Sequence, residues 1–158
     1  MVKVGIGQDS HRFDFESKNK KLILGGISFQ EEIYINANSD GDVILHSITN
    51  AISGITGVNI IGKIADEMCK NGIIDSKEYL KKALEHFTNY KINHLSISIE
   101  CKIPKITPKI EEIKKSIAKL LNIKEESIGI TATTGDGLTE FGKGNGIQVF
   151  SIITAETM

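Results

Sequence analysis

Three side chains in this sequence have the types and spacing to hold a divalent cation: Asp9, His11 and His46. Asp9-Ser10-His11 follows an alternating segment, Val2, Val4 and Ile6, that reads as a strand, with Gln8 to Arg12 as a polar loop after it. In extended chain, residues i and i+2 point the same way, so Asp9 and His11 can converge on one ion. His46 falls one turn into a predicted helix and points away from its apolar stripe of Leu45, Ile48, Ile52 and Ile55. Two imidazoles and a carboxylate suit Zn²⁺ and leave a fourth position for substrate. The motif alone also fits a plainer arrangement, a turn-capping Asp beside a surface His.

Other groups are suited to anionic oxygens. The expected helix N-termini at Ser39 and Pro108 offer backbone N–H groups, as does the stretch from Gly135 to Gly146 with its five glycines. Thr133-Thr134-Gly135-Asp136 adds hydroxyls at a strand end. There is no Walker loop and no dinucleotide fingerprint. Asp40-Gly41-Asp42 resembles the opening of a calcium loop, but the remaining ligand positions are missing. Asp42 and His46 are i and i+4, so Asp42 either orients the His46 ring or only meets the helix dipole. The sequence shows no Ser/His/Asp or Cys/His nucleophile arrangement, and His86 and His94 receive no role.

The elements that must position these groups follow from periodicity. Leu22 to Phe29 is a strand candidate interrupted at Gly25-Gly26, where a bulge is expected. Ser39 is the expected N-cap of the His46 helix, with Asp42 three residues on as in a capping box. A second helix starts at Asp75-Ser76 and turns Leu80, Ala83, Leu84 and Phe87 inward. Leu95, Ile97, Ile99 and Cys101 alternate with polar residues as a half-buried strand ended by Pro104. Thr107-Pro108 reads as N-cap and N1 of a third helix whose stripe is Ile110, Ile113, Ile117 and Leu120. Ile128 to Thr134 and Ile147 to Thr154 are the last strands. This order predicts an α+β sheet covered on one face by helices. The other face is either solvated or covered by another copy of the chain, and its Ile-rich strands favour the second.

Composition sets the frame for this chemistry. The chain has 158 residues, 40% apolar and 25% charged, with a net charge of −1. That fits one domain, residues 1–158, with no pull toward nucleic acid or anionic membranes. Arg12 is the only arginine, so a phosphate grip must rest on Lys, backbone N–H groups or metal ions. Cys69 and Cys101 lie far apart and read as reduced and structural. No stretch approaches the roughly 20 apolar residues of a membrane span. A cytoplasmic protein, or a processed chain of a plastid-type organelle, is expected.

Together these pieces resemble the 2-C-methyl-D-erythritol 2,4-cyclodiphosphate synthase family, the cyclases of the non-mevalonate isoprenoid pathway. The resemblance lies in GIGQDSHRF at 5–13, LGGI at 24–27, NSDGDVILHSITNAI at 38–52, IGK at 61–63 and DS at 75–76, with IPKITP at 103–108, ATTGDGL at 132–138 and GKGNGI at 142–147. It implies a two-layer, ferredoxin-like α+β fold with a mixed sheet, and a homotrimer packed through the sheets. It implies cyclisation of 4-diphosphocytidyl-2-C-methyl-D-erythritol 2-phosphate with release of CMP. Asp9, His11 and His46 would bind Zn²⁺, and Mg²⁺ or Mn²⁺ would bridge the substrate phosphates.

The substrate-binding set so implied is Asp9, His11, Asn38, Ser39, Gly62, Asp66, Glu67, Cys101, Lys102, Ile103, Pro104, Lys105, Thr107, Thr133, Thr134, Gly135, Asp136 and Lys143. Of these, 101–107 and 133–136 of the adjoining chain would take the cytidine. Asn38 and Thr134 would be the catalytic residues, Thr134 steadying the transition state and Asn38 standing where many members have His. Ile60 replaces an Asp that contacts the sugar, Glu140 an aromatic, and Lys143 an Arg associated with anion binding on the trimer axis. Two other readings compete: a zinc phosphohydrolase of a nucleoside diphosphate derivative, and a lapsed trimer that only binds CDP-compounds.

Overall fold

The alternation of Leu95, Ile97 and Ile99 is realised in the central strand of a four-stranded mixed sheet. The computed structural model describes all 158 residues. In chain order they form β1 (Val2–Arg12), β2 (Lys20–Lys21), β3 (Ile23–Leu24), β4 (Ile27–Ser28), β5 (Tyr34–Ile35), α1 (Val43–Thr56), α2 (Lys63–Lys70) and α3 (Ser76–Leu84). There follow β6 (Tyr90–Glu100), α4 (Ile110–Leu121), β7 (Ile128–Thr133) and β8 (Gly146–Thr157). The sheet order is β1-β8-β6-β7, with β8 antiparallel to both neighbours and β6 parallel to β7. β2 pairs with β5, and β3 with β4, in two small ribbons. Because α4 crosses between β6 and β7, that pair runs parallel, and the connectivity departs from the βαββαβ order of a ferredoxin-like sheet.

Helices cover one face. Leu95, Ile97, Ile99, Ile147, Val149, Ile153 and Ala155 point into the core beneath them. On the opposite face Val2, Val4 and Ile6 are 66%, 62% and 63% exposed, with Phe150 and Ile152 beside them. No helix is long and apolar enough to cross a membrane.

Several local expectations change. Gln8 to Arg12 is strand rather than loop, since β8 pairs with β1 as far as Arg12 and supplies the ladder that polar side chains alone do not suggest. Leu22 to Phe29 is a tight hairpin, not a bulged strand: Gly25 and Gly26 both take positive φ, 61° and 79°, between β3 and β4. The N-cap of α1 is Asp42, not Ser39. Its buried carboxylate accepts the N–H groups of Leu45 at 3.0 Å, Gly25 at 2.9 Å and Gly26 at 2.7 Å, tying the hairpin to the helix start. Burial pushes this carboxyl up to about 6, against the three N–H bonds that favour its charged form. Asp42 therefore does not orient the His46 ring.

Thr107 and Pro108 form a 3₁₀ turn before α4 rather than its N-cap and first residue. α4 buries Ile113, Ile117, Ala118 and Leu121, leaving Ile110 and Leu120 half-exposed. α2 has no clear sequence signal because Ala65 is its only buried residue.

Candidate active site

The site is built where α1 lies against β1. Gly5 and Gly7 face the helix, and a Cβ on either would run into the backbone of Ala51 or Ser47. This close approach sets Asp9, two residues beyond Gly7 on the same strand face, against His46 in the first turns of α1. Asp9 Oδ2 is 3.2 Å from His46 Nδ1. His11 follows on the same face, near enough to feel the charges of both; burial is the main cause that holds its imidazole below the usual histidine range. At neutral pH it is an uncharged ring with a lone pair to offer. Asp9 and His46 touch, but no three His, Cys, Asp or Glu side chains are gathered closely enough to coordinate one ion.

His46 is fixed from behind. Its Nε2 is 2.8 Å from Ser76 Oγ at the start of α3. The Ser76 hydroxyl in turn donates to Asp40 Oδ1, while its backbone N–H donates to Asp40 Oδ2 at 3.0 Å. Ser76, His46 and Asp9 thus lie in a line that the sequence did not announce, and that has the membership of a nucleophilic triad. Ser76 is wholly buried and its one proton is taken by a carboxylate, so it is no nucleophile. Donor counting fixes one nitrogen: the carboxylate of Asp40 can only accept, so Nε2 donates to Oγ, and Nδ1 faces Asp9, carrying the lone pair whenever the ring is neutral. Either a ring proton or a bound cation must then stand between Nδ1 and the carboxylate oxygen 3.2 Å away. This donor set fits a divalent cation.

A cavity of about 380 Å³ opens beside this pair. His11, His46, Asn38, Ser39, Gly62 and Asp66 line it, together with Asn36, Ala37, Ile61, Ala65, Cys69 and Tyr79. Lys20 organises its rim: Nζ donates to the carbonyls of Ala37 at 2.8 Å, Asn38 at 3.0 Å and Ser39 at 2.6 Å. Cys69, expected to be structural, borders the cavity with its Sγ 3.3 Å from the Asn38 carbonyl. Glu67 is exposed on α2 and is not part of the lining. Ile60 is fully buried in the core, so apolar packing replaces any sugar contact at this position. A larger cleft of about 790 Å³ sits at the other end of the sheet among Phe87, Tyr90, Ile92 and Met158. It carries lysines but no carboxylate or histidine, and so lacks this chemistry.

The remaining implied residues lie elsewhere. β1, β6 and β7 run in the same direction, so their C-terminal ends share one end of the sheet. Thr133 is three strands from β1, roughly 14 Å away at ordinary strand spacing. Cys101 donates its N–H to the Thr133 carbonyl at 3.1 Å, and Lys102 to that of Phe141 at 3.1 Å, which binds the 101–107 and 133–143 segments into one surface. Lys102, Ile103, Lys105, Thr107, Thr133, Thr134, Asp136 and Lys143 are exposed on it, Gly135 is half-exposed, and Cys101 and Pro104 are buried beneath. Burial pushes the Cys101 thiol up to about 12, so it stays protonated. None of these residues lines the histidine cavity.

Ser76, Asp40, Lys20 and Tyr79 are the contributors that pattern reading missed. Asp40 and Ser76 stand in the quoted motif and at the expected helix start, yet nothing local shows that they meet.

Comparison with known proteins places the whole chain among relatives of one fold. A family model described as the YgbB family matches residues 2–156. A protein of Chlamydia abortus named 2-C-methyl-D-erythritol 2,4-cyclodiphosphate synthase is 49% identical over 156 residues, covering 98% of this chain and 89% of that one. The bifunctional IspDF of Campylobacter jejuni superposes with a TM-score of 0.89 at 29% identity, over 100% of this chain and 43% of that longer one. A Plasmodium falciparum structure described as an IspF CDP complex gives 0.83 at 30% identity, over 99% and 96% of the two chains. With nearly every residue matched and the fold shared, the chain belongs to the YgbB family.

Proposed function

We propose that this chain, acting as one domain over residues 1–158, cyclises 4-diphosphocytidyl-2-C-methyl-D-erythritol 2-phosphate to 2-C-methyl-D-erythritol 2,4-cyclodiphosphate and releases CMP. The observation that carries the reading is the Asp9–His46 pair, which presents a carboxylate and an imidazole nitrogen to the same point beside a cavity of substrate size. A 2-phosphate oxygen attacks the β-phosphorus while the bond from that phosphorus to the bridging oxygen breaks, and CMP leaves with the oxygen. The phosphate is its own nucleophile, so positioning and charge neutralisation carry the catalysis.

Asp9 and His46, with His11 beyond them on the same strand face, would hold Zn²⁺, and Mg²⁺ or Mn²⁺ would accompany the substrate phosphates; bound there, these ions would supply positive charge and Lewis acidity. The chain's own groups orient the substrate. Asn38 and Ser39 offer their side chains at the cavity rim that Lys20 holds, and Asn38 can donate to a phosphate oxygen without carrying charge. Thr134 donates its hydroxyl to a phosphoryl oxygen, and 101–107 with 133–136 receive the cytidine.

These two sets stand at opposite edges of one sheet, roughly 14 Å apart at ordinary strand spacing, and each active site is completed by a neighbouring copy in a homotrimer. The open apolar face of Val2, Val4, Ile6, Phe150 and Ile152 supports packing through the sheets. Purified protein with Zn²⁺ and Mg²⁺ is expected to release CMP, with a cyclic diphosphate visible by ³¹P NMR. Linear hydrolysis products alone, or no turnover, would contradict the proposal.

A further inference from the structure

We infer that Ser76 and Asp40 are positioning residues that set the tautomer and aim of His46 as a cation ligand, an inference that rests on the cation-binding reading above. His46 Nε2 lies 2.8 Å from Ser76 Oγ, and the Ser76 hydroxyl passes on to Asp40. Asp40 is itself locked. It accepts the N–H of Ser76 at 3.0 Å and that of Asp42 at 3.1 Å, and its own N–H donates to the Ile74 carbonyl at 2.9 Å.

These bonds zip the segment before α1 to the segment before α3, so the ring and its support are fixed by two elements at once. α3 also brings Tyr79, three residues after Ser76, against the imidazole, with ring centroids 6.0 Å apart. The ring therefore has hydrogen-bonded support at one nitrogen and packing along its side. Only Nδ1 remains free to bind.

The test uses the full chain with its histidines ¹⁵N-labelled. In the metal-free wild type, at a pH where the ring is neutral, the His46 proton should reside on Nε2, and Zn²⁺ should perturb Nδ1. A proton held mainly on Nδ1, or zinc bound through Nε2, would overturn the inference without any variant having to fold. By chelator competition, Ser76→Ala should bind Zn²⁺ roughly 10- to 100-fold more weakly and mix the two tautomers. Asp40→Asn, which keeps an acceptor but loses the charge, should fall between Ser76→Ala and wild type. Unchanged zinc affinity in Ser76→Ala would overturn the assignment. A wild type that binds no zinc overturns the cation reading and this role with it, whereas zinc binding without CMP release overturns only the cyclase reading.

Discussion

The two halves of the implied site differ in how completely one chain builds them. Around His46, contacts run from Asp9 through Ser76 to Asp40, and Lys20 closes the rim with three carbonyl bonds. At the ends of β6 and β7, backbone bonds hold two loops together, but the side chains Lys102, Lys105, Thr134 and Asp136 stand out in solvent with no cavity of comparable chemistry among them. Preorganisation belongs where charge must be gathered and desolvated. A surface left open at the same end of the sheet, beside an uncovered apolar face, is one that a second copy can complete.

The sharpest break in this comparison comes from the first half. Asp9→Ala or His46→Ala should lose Zn²⁺ together and reduce CMP release by about a thousandfold or more. Metal analysis alongside turnover checks this, and zinc retained by both variants would reject the ligand set. Thr134→Val, in the second half, should lower kcat by roughly 100-fold while zinc content stays at the wild-type level. A loss of zinc there would show that the halves are not separable.

Smaller effects follow from the supports. Asp42→Ala leaves three N–H groups, two of them buried, without an acceptor and should lower unfolding free energy by about 2–4 kcal/mol in urea. Lys20→Met should cost roughly 1–2 kcal/mol and raise KM several-fold, with zinc affinity unchanged. Acid sensitivity has a defined sign. Burial depresses His11 below its unfolded value near 6.5, so its contribution to stability is full above that pH and is lost as pH falls through the lower folded value. His11→Gln should flatten the fall in stability of the metal-free protein as pH drops below about 6.5.

Sequence reading was most successful where one period governs. Asp9 and His11 share a face because β1 is extended, and Leu95, Ile97 and Ile99 share one because β6 is. It failed where a contact is distant in sequence. Asp40 and Ser76 meet across 36 residues and Lys20 reaches 17 to 19 residues to its carbonyls, distances over which periodicity carries no information. Ser39 and Asp42 are both good N-cap types, and only the hairpin N–H groups of Gly25 and Gly26 decide for Asp42. α2 escaped because a helix with one buried residue leaves almost no apolar stripe. Ile60, in place of a sugar-contacting Asp, has its side chain in the core, a packing role that the substitution alone does not reveal.

The central claim is that each active site joins the histidine half of one chain to the threonine half of another. It can be tested by co-expressing His46→Ala with Thr134→Val, each inactive alone, and measuring CMP release from the mixed assembly. Shared sites predict recovery to about a quarter of wild-type activity, the fraction of neighbour pairs that combine two intact halves in a random mixture of symmetric rings. Activity no higher than that of the separate variants would show that one chain holds the whole site.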